Sequence, residues 1–489
     1  MPRTITVWLR RDRSLSYGQS ADEFTAGVLH ARTVSSGVAW TPETWRSKVD
    51  AQAVAYEAPE RMDAVCSRLR DLPPLVTSWE IERLKKLLGD AQHGRRFVVQ
   101  GGDCAETLAD CRPSVITSKL KILLQMSLVM VQASKLPVVR VGRFAGQYAK
   151  PRSQPLEARE GVHRPSYFGD MVNRADFTED GRRPDPENLL VAYSHAAMTL
   201  NFIRSLSVGG FADVHHPEYW DLSFMRGAGT SDSLRHEYER ASQQLAEAFR
   251  FMEAIGEGEV EELKRVEFFT SHEGLNLYYE SCQTRQVPRR QGFYDLTTHF
   301  PWIGERTRAA EGAHVEFFRG VVNPVAIKVG PSISVDQVIA LIDVLNPQGE
   351  PGKLALVTRM GAKRVSTTLP PLIRAVKDTG RDVLWMCDPM HGNTQVAPSG
   401  QKTRDFDDIL GEVETTFAVH AACNSILGGV HFELTGEDVT ECLGGAAGVT
   451  VEDLDKNYAS ACDPRLNYRQ ALEMGFRIAK QLSFHARTG

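Results

Sequence analysis

The chain lacks the marks of several classes of protein. Its 489 residues contain no CxxC pair, and the 8 cysteines are scattered rather than spaced as a disulfide framework. That pattern fits a reducing compartment, with one or two thiols kept for chemistry. Long hydrophobic runs are missing: the most apolar helical stretch, Ile122–Val131, is interrupted by Gln125 and Ser127 and is too short to span a bilayer. The opening Met1–Trp8 has no apolar run of the length a secretory leader needs. Charge of one sign is not in excess either. A net charge of −5 with 24% charged residues gives no reason to expect nucleic acid as a partner. No GxGxxG follows a strand-like run, which argues against a dinucleotide site. There is no near-identical repeat and no low-complexity block.

The most informative stretch that is present runs from Arg381 to Thr394. Val383–Met386 is unbroken apolar sequence, suited to a strand buried on both faces. Cys387, Asp388, His391 and Asn393 then crowd together beside Pro389 and Gly392. A capped turn would look similar, but parallel-sheet enzymes display their chemistry at such strand ends.

The same transition recurs along the chain. Strands are expected at Arg96–Gln100, Pro137–Gly142, Val266–Thr270, Phe293–Thr298, Val325–Ile327, Leu354–Thr358, Val383–Met386 and Gly429–Phe432. Most are followed by a helical pattern, the first from about Ile116 to Val131. Eight such strands predict a (β/α)8 barrel rather than an open sheet, which would gather its site at one switch point. Residues 40–489 read as one barrel domain, with a helical extension at 40–95 and an insertion at about 154–262 after the second strand. The extension becomes helical from Thr41, with Pro42 and Glu43 as its start signal, and Ile81–Leu88 is amphipathic. The insertion holds helical patterns at Glu187–Leu206 and Ser233–Ile255, and Phe211–His215 reads as loop rather than strand. Residues 1–39 are weakly periodic and slightly basic, either a disordered arm or a transit peptide; Asp12, Asp22 and Glu23 weigh against the latter. The cytoplasm is therefore the expected location, with a plastid or other organelle as the alternative.

Barrel closure sharpens the reading. Cys104 ends the first strand, His391 the seventh and Glu433 the eighth, and these strands are neighbours in a closed ring. The later loop Ala461–Arg465 could add Asp463 as a fourth ligand. Singly, each residue has an ordinary explanation in packing or turn formation. Together, Cys, His, Glu and Asp suit a borderline divalent ion, and their mixed softness does not select one. The other strand ends are basic: Arg143, Arg306, Lys328 and Arg359, with Lys150, Arg152 and Ser153 just beyond the second strand. Salt bridges to Glu273, Glu305 and similar groups would account for one or two of these cations. The remainder imply phosphate or carboxylate substrates.

Six stretches carry a resemblance: Gln100–Glu106, Gly146–Ser153, Trp302–Arg308, Asp388–Thr394, Leu434–Gly445 and Cys462–Asn467. From about Trp40 onward the chain resembles type II, or plant-type, 3-deoxy-D-arabino-heptulosonate 7-phosphate synthases. The resemblance implies a TIM barrel that condenses phosphoenolpyruvate with erythrose 4-phosphate, the first step of the shikimate pathway. It implies metal ligands at Cys104, His391, Glu433 and Asp463, with Mn²⁺ foremost and Co²⁺, Fe²⁺, Zn²⁺ or Cd²⁺ as alternatives. It implies phosphoenolpyruvate contacts at Arg143, Glu305, Arg306, Lys328 and Arg359, and an erythrose phosphate site at Lys150, Arg152 and Ser153. Lys328, Cys104 and His391 are then the residues nearest the reaction. A homo-oligomer and a chorismate mutase partner are further expectations, with no membrane partner. The arm before Trp40 does not match, and the extra helices that hold the family's allosteric sites diverge here. The rival enzyme reading is a Schiff-base aldolase with Lys328 as nucleophile. Cys462, beside Asp463, is expected to approach Cys104 closely enough for oxidation to join them and displace the metal.

Overall fold

A computed structural model describes residues 39–57, 59–209 and 267–488, with isolated helical positions between 236 and 247. The N-terminal arm up to residue 38 and the expected loop Phe211–His215 lie outside the described residues, as does most of the Ser233–Ile255 helical pattern.

Two helices precede the barrel, α1 (Pro59–Asp71) and α2 (Ser78–Gln92). Strands and helices then alternate: β1 (Phe97–Gly102), α3 (Pro113–Ser134), β2 (Val138–Arg143), α4 (Glu187–Gly209), β3 (Phe269–Thr270), α5 (Leu277–Gln283) and β4 (Trp302–Ile303). The second half runs α6 (Ala313–Phe318), β5 (Val325–Val329), α7 (Val335–Leu345), β6 (Leu354–Thr358), α8 (Val365–Asp378), β7 (Leu384–Cys387), α9 (Phe406–Ala422), β8 (Leu427–Glu433) and α10 (Tyr468–Thr488).

The eight strands form one parallel sheet in the order β3-β2-β1-β8-β7-β6-β5-β4. Its edges meet. Glu273, just past β3, bridges Trp302 of β4 in parallel, and Trp302 N donates to His272 O at 3.1 Å. The sheet is thus a closed (β/α)8 barrel. The register sets the height of the rim: Gly102 of β1 stands opposite both Arg143 of β2 and Glu433 of β8.

α2 closes the N-terminal end of this barrel. Its Leu84, Leu87, Leu88 and Ala91 pack with Val98, Val141, Ala355, Leu384 and Met386 from the strand interiors. A capping box between Thr77 and Glu80 starts the helix. α3 extends beyond its expected ends to 22 residues and is apolar enough by composition to cross a membrane. Two thirds of its apolar window is buried, much of it in the cluster that includes Leu472, Met474 and Ile478 of α10.

Two local expectations are corrected, and a third feature had no counterpart in the sequence reading. Phe293–Asp295 is not a barrel strand; it pairs antiparallel with Thr284–Gln286, and the fourth position in the ring belongs to Trp302–Ile303. Polar groups explain this. Asn323 bonds the backbone of Asp295 in both directions, and Thr297 bonds the Glu280 and Asp295 carboxylates, which holds the segment outside the sheet. Second, Thr41 starts only a short 3-10 turn, Thr44–Ser47. The chain then runs irregularly to α1, tied where Ala313 N donates to Val49 O at 3.0 Å. Third, the segment after β2 begins with a hairpin, Leu156–Arg159 against Val162–Pro165, before α4.

Candidate active site

The mouth is built from the last residues of buried strands and the segments that follow them. β1 leads into Asp103 and Cys104. Asp103 is buried, ion-paired to Lys119 of α3, and accepts from Arg465 at 2.7 Å. Arg465 also grips Glu441 at 2.8 Å. This buried chain of alternating charges ties the Cys104 segment to the Cys462–Arg465 loop, 362 positions apart.

His391 stands between two carboxylates. Its Nδ1 lies 2.7 Å from Asp388 Oδ2 and its Nε2 lies 3.0 Å from Glu433 Oε1. Glu433 also faces Arg143 at 3.2 Å and Arg404 at 2.7 Å. Against the cost of burial, His391, Arg404 and Arg143 hold the Glu433 carboxyl well below the usual range. Asp388 is likewise depressed: burial opposes its charge, and His391 with Lys328 more than offsets that.

Beside them lies the thiol. Cys104 Sγ is 2.8 Å from Lys150 Nζ and 3.5 Å from Asp463 Oδ2, and Lys150 Nζ is 3.0 Å from the same Asp463 oxygen. Cys462 Sγ is 2.7 Å from Cys104 Sγ, with both cysteines free. Against burial, the hydrogen bond with Cys104 and the Lys150 ammonium pull the Cys462 thiol down to about 6. The donor atoms form two groups that share Asp463: Cys104, Cys462 and Asp463, and His391, Glu433 and Asp463, each within 4.8 Å of one another.

Cations are interleaved with these donors rather than set on a separate wall. Arg143 stacks over the Trp302 ring at 5.1 Å and its Nη1 meets His431 Nε2 at 2.8 Å. Lys328 pairs with Asp388 beneath the same ring; burial lowers it to about 8, with Asp388 opposing the shift. Arg306 donates to Ser153 Oγ at 2.7 Å, and Arg359 to His391 O at 3.0 Å. Glu305 accepts from Arg308 at 2.9 Å and from Gly330 N at 2.8 Å, so it braces the β5 end. Arg152 N is fixed by Gln52 Oε1 at 2.7 Å.

The twelve residues expected to hold the metal and the two substrates all line one cavity of about 370 Å³. Its walls carry seven Lys and Arg side chains against five Asp and Glu, which suits anionic ligands. The sequence reading missed several members. Trp302 read as a connector and Lys402 and Gln147 were passed over, although all three line the cavity. His431 sits inside β8 rather than at its end, and Arg404 lies in the connection before α9. No local signal distinguishes His431 and Arg404 from ordinary residues, whereas Trp302 and Gln147 lie within stretches that carry the resemblance.

A family model described as the class-II DAHP synthetase family matches residues 40–479. A phospho-2-dehydro-3-deoxyheptonate aldolase from Neurospora crassa is 45% identical over 467 residues, covering 92% of this chain and 96% of that protein. One from Streptomyces coelicolor is 45% identical over 437 residues, covering 89% and 96%. A solved structure of the Francisella tularensis phospho-2-dehydro-3-deoxyheptonate aldolase aligns with 90% of this chain and 100% of its own, at 12% identity and a TM-score of 0.47. By the family match and the identity to these relatives, the chain belongs to the class-II DAHP synthetase family.

Proposed function

We propose that this chain is a 3-deoxy-7-phosphoheptulonate synthase, joining phosphoenolpyruvate and D-erythrose 4-phosphate to give the seven-carbon phosphate product and inorganic phosphate. The observation that carries the reading is one cavity uniting a Cys, His, Glu and Asp donor set with seven cations, in a chain of this family.

The donors fit a divalent cation. His391 Nδ1 is committed to Asp388, and its Nε2 shares a proton with the Glu433 oxygen 3.0 Å away, a place a divalent ion would take over. A carboxylate behind a histidine is the usual support of a ligating imidazole. Cys104, His391, Glu433 and Asp463 would hold the ion. When bound, it supplies Lewis-acid polarisation of the aldehyde oxygen.

The chain's own residues bind and orient. Arg306, Arg359 and Lys328 take the phosphate of phosphoenolpyruvate, and Arg143 with Lys328 its carboxylate. Lys150, Arg152 and Ser153 take the aldose phosphate, so the aldehyde carbon meets the phosphoenolpyruvate methylene carbon. A carbon–carbon bond forms between them and the aldehyde oxygen gains a proton. Water then adds at the former enol carbon, and phosphate leaves with its carbon–oxygen bond broken. Lys328 has a depressed pKa of about 8 and a buried ion partner, which suits it to hand over a proton. That same pairing keeps it an ammonium and weighs against a Schiff-base nucleophile.

The test is phosphoenolpyruvate consumption in the presence of erythrose 4-phosphate. Exhaustive chelation should abolish it and Mn²⁺ should restore it. Full turnover in chelator, or a borohydride-trapped adduct on Lys328, would overturn the mechanism. The 2.7 Å approach of Cys462 to Cys104 supports a redox effect as well. A peroxide taking two electrons from the pair would form a disulfide and water, and remove the sulfur ligand.

A further inference from the structure

The chain after β2 is sharply bent. Ala145 has φ 63° and Gly146 has φ 155°, values that side chains resist. The bend turns the N–H groups of Ala145, Gly146 and Gln147 toward one point, and successive amides so turned form an anion-binding hollow. Here the protein fills that hollow itself. Glu106 Oε1 accepts from Ala145 N at 3.0 Å, and Oε2 accepts from Gly146 N at 3.0 Å and Gln147 N at 2.9 Å. Glu106 N donates back to Gln147 O at 2.8 Å. The side chain is only 3% exposed and lies outside the cavity lining.

The far side of the bend is fixed too. A side chain at Gly146 would collide with the His272 ring, and Gln147 Oε1 accepts from Glu273 N at 2.8 Å. Beyond the clamp the chain delivers Lys150, Arg152 and Ser153 to the cavity. We infer that Glu106 is a positioning residue for the aldose phosphate: its carboxylate sets the loop that carries Lys150, Arg152 and Ser153. The inference rests on the proposal above that these three bind that substrate.

A carboxylate is required because both its oxygens accept. A carboxamide of the same shape offers one oxygen, so its NH₂ must confront at least one of the three amides. The loop then shifts, and a misplacement of about 1 Å in a substrate-holding group costs on the order of 10²-fold.

Steady-state kinetics on the Mn²⁺-loaded wild type and Glu106→Gln test it. The variant should raise KM for erythrose 4-phosphate about tenfold or more, with KM for phosphoenolpyruvate within about twofold. Glu106→Asp keeps two acceptor oxygens and should fall between wild type and Glu106→Gln. Equal losses for both substrates, an unchanged erythrose 4-phosphate KM, or an Asp variant no better than Gln would overturn the inference. If Glu106→Gln does not fold, Glu106→Asp alone must show the selective rise, and wild-type constants for both substrates would overturn it. A wild type with no turnover would instead sink the proposed function.

Discussion

The two ends of the barrel are built from the same strands and stabilised in opposite ways. At the N-terminal end, Leu84, Leu87, Leu88 and Ala91 of α2 meet Val98, Leu384 and Met386 in apolar contact. The fit is close: a Cβ added at Gly428 would run into Leu384 and come within 2.8 Å of Ala91 O. At the C-terminal end the same β8 finishes in Glu433, buried among His391, Arg143 and Arg404. One end excludes water with hydrocarbon, and its stability rests on packing. The other buries charge, which is costly unless each charge is paired, and that cost is sustained because the site must attract anions. The difference assigns stability to one end and activity to the other.

Substitutions at the two ends should therefore separate these quantities. Arg359→Met removes a rim cation whose guanidinium donates to the His391 carbonyl oxygen at 3.0 Å rather than to a carboxylate. It should lower kcat/KM for phosphoenolpyruvate about 10²–10³-fold, or about 3–4 kcal/mol, with little change in melting. Equal loss of stability and activity would erase the contrast. Leu87→Ala at the plug should do the reverse, costing about 2–5 kcal/mol in denaturant unfolding with kcat and both KM values retained. A large fall in kcat there would show that the ends are mechanically linked.

Acid–base behaviour offers a gentler probe. Lys328 titrates near 8, because burial disfavours its charge. If Lys328 holds phosphoenolpyruvate as proposed, binding needs the ammonium, so affinity should weaken above pH 8, by at most about tenfold per unit. Binding that strengthened with pH would contradict the assigned role. The smallest effect is expected at Thr77→Ala, which opens the capping box of α2. It should cost about 1 kcal/mol of stability and leave the kinetics alone.

Much of the rim was legible in the sequence for a simple reason. A strand of a parallel barrel is buried on both faces, so it reads as an unbroken apolar run, and the first polar residues after it lie at the mouth. Cys104, Arg143, Lys328, Arg359 and Glu433 all announce themselves that way. β4 did not, because two residues make no pattern and the longer Phe293–Thr298 run nearby mimics a strand. His431 and Arg404 were hidden because their roles depend on what faces them across the ring.

The amino-acid order alone determined the alternation of elements and which residues emerge at the mouth, since burial of each segment is a local property of its pattern. Only the tertiary structure decided the partners: Lys150 against the Cys104 thiol, Glu433 shared among His391, Arg143 and Arg404, and Glu106 inside the bend after β2. Such contacts arise when the ring closes, and no short stretch of chain encodes the distance between segments that closure brings together.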